Sequence, residues 1–246
     1  MTPEVTNSDG LLARTARPGL RALKKHLAPF ILIEALGAAL VIAYYRSESL
    51  RAAMEVVQDW KVRGGLLFVV VAGGFAGGVL PNLAKAVTGL VKKLDRAFWM
   101  EVFFAGFVYA IIGVEVDALY KLQATMFGTG IDIGTLAKKN AFDMLIFTPF
   151  ASIPTVYACY DLRALRSVRA FWASWRTAGF AERVLSALFP AWAYWVPMLL
   201  CVYSLPSTLQ YSFAQVAEGA WCLIMISVAQ GSEAKPMLAA PEAETR

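Results

Sequence analysis

Apolar residues gather into six runs separated by short polar stretches: Leu27–Tyr45, Gly65–Leu80, Phe98–Tyr120, Phe142–Tyr160, Leu185–Leu205 and Leu209–Ala229. Most approach the ~20 residues that a helix needs to cross a bilayer. The pattern predicts an all-α fold, a polytopic transmembrane helical bundle of about six spans. Only Pro206 and its neighbours separate the last two runs, so these two must form a helical hairpin. The spans make up a single domain over residues 28–230, between a flank at 1–27 and a polar Ala/Pro-rich tail at 231–246.

The flank opens on a polar tail and continues through Arg14, Arg17, Arg21, Lys24 and Lys25 among leucines and alanines. It reads as a basic anchor for the first span rather than a signal or transit peptide. The apolar run after it is of spanning length, and no small-residue cleavage site follows. With the N-terminus inside, the inner segments (1–27, the loops 81–97 and 161–184, and the C-terminal tail) hold sixteen Lys and Arg against seven in the outer loops 46–64 and 121–141. That bias predicts both termini on the cytoplasmic or matrix-equivalent side.

Composition agrees with this picture and removes other classes. The 246 residues are 58% hydrophobic and 17% charged, with mean hydropathy +0.55; roughly 25% charged is ordinary for a soluble domain. One histidine, His26, and three cysteines (Cys159, Cys201 and Cys222) exclude a disulfide scaffold and a zinc site of several His and Cys ligands. The net charge of +5 comes from basic loops without a long Lys/Arg block, so no nucleic-acid partner is expected. No lysine lies near the centre of a span to hold retinal, and the metalloprotease, nucleophile-elbow and Walker A motifs are missing. Neither a cofactor, a metal nor an enzymatic activity is expected.

Candidate functional positions come from what apolar spans should lack. Gly73, Gly74, Gly77 and Gly78 place two pairs of glycines at four-residue spacing, a surface on which backbones approach closely, within the chain or between protomers. Pro149, Pro154, Pro190 and Pro197 kink the fourth and fifth spans. The carboxylates Glu34, Glu101, Glu115, Asp117, Asp143 and Glu218 lie within or at the ends of spans. Each costs about 2.5–3.5 kcal/mol at the bilayer centre, so each should face protein, water or an interface. Glu101 suits an interfacial, solvated position; Glu218, mid-span, can hardly reach one. Lys139 and Asp143 are four apart at the start of the fourth span, within reach of an ion pair. With Pro149 below them, they would fix the mouth of a polar cavity to which Glu115 and Asp117 add negative charge.

Some of these positions carry a resemblance. Gly113-Val114-Glu115-Val116-Asp117-Ala118-Leu119-Tyr120 is similar to the G-P-x-x-H-x-W-Y element of the Mpv-seventeen / 22-kDa peroxisomal membrane protein family, with Gly113 and Tyr120 in register. Lys139-Asn140-Ala141-Phe142-Asp143-Met144-Leu145-Ile146-Phe147-Thr148-Pro149 resembles the family's K-x-x-x-D-Q-x-x-x-x-P, with Met144 in place of Gln. Pro206 and Trp221 keep the fifteen-residue spacing of a C-terminal Pro and Trp, although the intervening motif has changed. The resemblance covers roughly 65–230 and makes the chain similar to a divergent member with an added first span. It implies a small channel- or pore-like protein that passes small solutes or cations. It also implies a bacterial inner membrane, or a mitochondrial inner or peroxisomal membrane. Two alternatives stand beside it. One is an accessory protein whose intramembrane carboxylates bind a partner subunit or lipid; the other is a proton-coupled secondary transporter using Glu218. The expected partners are the lipid bilayer and a second copy or another membrane protein.

Overall fold

The computed structural model describes residues 27–231; the basic flank ahead of Leu27 and the tail after Gly231 lie outside the described residues. The described chain forms helices without a strand among them. Counting π-helical turns with the helices they continue, these are α1 (Leu27–Arg46), α2 (Glu48–Val87), α3 (Arg96–Phe127), α4 (Ile133–Leu165), α5 (Val168–Trp175), α6 (Ala178–Tyr203) and α7 (Ser207–Gly231). Side-chain oxygens start several of them: Ser47, Asp95, Asp132 and Ser167 each accept from a backbone N–H three residues on. The Thr135 hydroxyl and backbone N–H hold the exposed Asp132 carboxyl below its usual range.

Four stretches are long and apolar enough to cross a membrane: Glu48–Val87, Arg96–Phe127, Ile133–Leu165 and Gly179–Tyr203. They fall on four of the six predicted runs. The predicted loop at 46–64 is helical instead. It forms the first half of α2, which breaks at Gly65, where φ is +50° and ψ −129°. A side chain is strained at such angles, which glycine adopts freely. The apolar part of α2 therefore starts where the hydrophobic run starts.

The strongest packing joins α2 to α3 along the glycine face, within one chain. A Cβ on Gly73 would lie 2.8 Å from the Tyr109 carbonyl oxygen, and one on Gly74 2.8 Å from that of Gly106. One on Gly78 would strike the Gly106 backbone, and one on Gly77 the Tyr109 ring. From Gly74 to Val79 the helix widens into π turns, ending beside Pro81. The Gly113 position extends the seam, since a Cβ there would lie 2.8 Å from Tyr211 Oη. That hydroxyl donates to the Val69 carbonyl at 2.7 Å.

The second π-helical stretch, Asp143–Ser152, contains Pro149. In π register the carbonyl of residue 144 would accept from the N–H of residue 149, which proline lacks. Trp192 of α6 fills that role, its indole Nε1 donating to the Met144 carbonyl at 2.9 Å. The proline thus widens the span and ties it to its neighbour. The hairpin between α6 and α7 turns at Pro206, whose carbonyl accepts from Leu209 N–H at 2.8 Å. Trp221 packs against Phe30 and Tyr194, with ring centroids 6.3 and 5.1 Å away.

Candidate functional site: a buried polar layer

Polar side chains from α3, α4, α6 and α7 meet at the end of the bundle where α3 finishes and α4 begins. Gln123, Lys139, Tyr203 and Gln210 are each at most 2% exposed, and Asp143 is 5% exposed. Tyr203 Oη donates to Asp143 Oδ2 at 2.6 Å, and Thr148 Oγ1 donates to the other oxygen at 3.4 Å. Gln123 Nε2 donates to the Lys139 carbonyl at 3.2 Å, Asn140 Nδ2 to the Val196 carbonyl at 2.7 Å, and Gln210 Nε2 to the Leu205 carbonyl at 2.9 Å. Tyr120 sets its ring edge-on to Tyr203 at 5.4 Å.

The expected ion pair between Lys139 and Asp143 is not formed. The lysine ammonium lies over the Tyr203 ring, 5.7 Å from its centroid, while Asp143 is taken by hydroxyls. One tyrosine therefore receives both charges, the cation on its face and the anion at its hydroxyl. Lys139 and Asp143 are on the same side of α4, as their spacing requires, but each meets a different part of the α6 tyrosine.

The structure does not bring the other acidic residues to this layer. Asp117 of α3 is held between Lys61 of α2 and Lys121 of its own helix, which meet its two oxygens at 3.0 and 2.6 Å; Lys61 also sits 4.9 Å from the Tyr211 ring centroid. Its charge is matched twice over, so it adds no negative field to a cavity mouth. Glu115 accepts from Thr155 Oγ1 at 2.7 Å. Glu218 accepts from Cys222 Sγ at 3.4 Å, a thiol that also lies 3.9 Å from Tyr109 Oη. Glu101, expected at an interface, is ion-paired with Arg163 at 2.6 Å, both side chains being partly exposed. Glu34 has both carboxylate oxygens enclosed and without a hydrogen-bond partner among the described residues.

Gln123, Tyr203 and Gln210 were not among the expected site residues, nor was Lys61. Tyrosine and glutamine near span ends read as interfacial residues, and Lys61 falls in a segment read as loop. Pro149 and Tyr120 do belong to the layer's surroundings, whereas Gly113, Pro206 and Trp221 serve packing and the hairpin.

The long apolar helices and the sequestered polar groups fit an integral membrane protein. No protein-family model, curated protein or solved structure matches the chain.

Proposed function

We propose that the protein is a gated membrane pathway for small solutes or cations, closed by the layer of Lys139, Tyr203 and Asp143. The supporting observation is the lysine. Its ammonium is enclosed between helices and meets an aromatic face instead of a carboxylate. Ionisable groups at such depth are costly and mark pathways more often than they stabilise a bundle. The adjoining π turns of α4 belong to a class of helix defect that gathers at functional sites. Release of Asp143 from Tyr203 would free both charges at once and polarise the passage.

On this reading α1 and α7 also cross the bilayer, giving six spans with both ends of the chain on one side. Tyr45 Oη near the C-terminal end of α1 donates to the Ser204 carbonyl just after α6 at 2.5 Å, so the two helices end at the same face, which fits the first and fifth of six alternating spans crossing in the same direction. The clustering of Tyr120, Lys139 and Asp143 above Pro149 supports kinship with the Mpv-seventeen-like family. A bacterial inner membrane or an organelle membrane is the setting.

The accessory reading finds its support in Glu34, on a helix whose Ile31, Leu32 and Leu36 are exposed. Solute flux and single-channel conductance of purified protein in liposomes separate these functions. The gated pathway predicts discrete conductance steps that Lys139→Met changes. Saturable uptake driven by a pH gradient would identify a transporter, and silence from folded protein would identify the accessory role.

A further inference from the structure

The short helix α5 joins two membrane-crossing stretches, the one ending at Leu165 and the one starting at Gly179, and therefore lies at a membrane face. Its two sides differ. Phe171 is buried, and Trp175 stacks on Phe180 with centroids 4.1 Å apart while its Nε1 donates to Asp161 at 2.9 Å. These contacts fix the inner side. On the outer side Arg169, Trp172, Ala173 and Arg176, spaced to share one helical face, line an open groove of about 450 Å³. All four are exposed, Trp172 at 53%.

The arginines of this face divide in the same way. Arg163 pairs with Glu101, and Arg183 grips both oxygens of Asp161 at 3.0 Å. Arg169 and Arg176 have no ion pair with any described residue. Two unmatched guanidinium groups flank an exposed indole at the depth of the headgroups, where indoles concentrate and a guanidinium binds phosphate by paired hydrogen bonds.

We propose that this groove binds the phosphate headgroup of an anionic phospholipid from the surrounding leaflet, with Trp172 lying along the glycerol and upper acyl chain. The inference rests on the membrane-spanning reading and is independent of the gate.

Native mass spectrometry of the full-length protein in detergent, titrated with phosphatidylglycerol or phosphatidylcholine, tests it. Wild type should retain phosphatidylglycerol in preference to phosphatidylcholine. Arg169→Gln/Arg176→Gln should weaken that binding by about thirtyfold, from the usual contribution of two basic side chains at an anionic surface. Trp172→Ala should weaken both lipids, with its thermal midpoint unchanged. Lys92→Gln/Lys93→Gln, which removes the same charge from the exposed loop between α2 and α3, should leave binding intact. Equal retention by wild type and the double arginine variant, or equal loss in the lysine control, would overturn the site. Complete displacement of the lipid by an equal concentration of inorganic phosphate would reassign it to a free anion.

Discussion

Tyr203 Oη and Asp143 Oδ2, sixty residues apart in sequence, meet at 2.6 Å in a layer closed on all sides by protein. A carboxylate in such surroundings depends on its donors, because burying it without them costs far more than the hydrogen bond itself contributes. Tyr203→Phe should therefore lower stability by about 1–3 kcal/mol, read as a fall in the thermal midpoint in detergent. Thr148→Val, which removes only the 3.4 Å contact, should cost clearly less. Equal losses would show that Asp143 draws equally on both donors.

Lys139 gives the opposite expectation for stability and for transport. Replacing an enclosed, unmatched ammonium by an apolar chain of similar length removes a desolvation penalty. Lys139→Met should keep or raise the thermal midpoint while changing the conductance. In a double-mutant cycle with Asp143→Asn, a direct pair would give a coupling of several kcal/mol, whereas charges that each meet a different part of one tyrosine should give much less. A large coupling would mean that the two groups pair in the membrane.

Trp192 and Pro149 should be energetically coupled through the Met144 carbonyl. Trp192→Phe leaves that carbonyl without its donor, at a cost of about 1–3 kcal/mol. Restoring a backbone N–H with Pro149→Ala should shrink the loss, because the helix can then satisfy its own carbonyls. Additive thermal shifts in the double variant would refute the exchange of one donor for the other.

The glycine seam predicts an asymmetry between its two sides. Gly78→Ala drives a methyl group into the Gly106 backbone, which cannot rotate away, and should cost about 1–3 kcal/mol or more. Gly106→Ala meets nothing nearer than 3.7 Å and should be nearly neutral. Thermal midpoints of the two variants decide it, and equal loss would mean that both backbones are equally hemmed in.

The helices were legible because lipid imposes one rule on every span: about twenty apolar residues with backbone bonds closed internally. The same rule revealed the glycine seam, since four-residue spacing of small residues has few other uses in a span. What stayed hidden was pairing. Asp117 and Asp143 look alike in sequence, yet one faces Lys61 from a segment read as loop, and the other faces a tyrosine sixty residues on. The rotation of α3 about its axis decides which neighbour each of its residues meets, and no local pattern encodes it. The aromatic spacing of Phe171, Trp172 and Trp175 between basic residues was the available signal for α5, but charge counting absorbed that segment into a loop.

The break at Gly65 has a consequence for how the protein sits in bilayers of different thickness. An unbroken helix of the length of α2, forty residues, would reach about 60 Å, twice the ~30 Å of hydrocarbon. With the chain turned at one residue, only the stretch from 65 to 87 has to match the lipid. The direction of the polar half is set by Lys61 gripping Asp117 on α3. A thicker or thinner membrane would call for a different tilt of the apolar half, and a turn confined to one glycine is the place where the two halves could swing relative to each other. Such a swing would leave the lysine–aspartate contact between α2 and α3 in place.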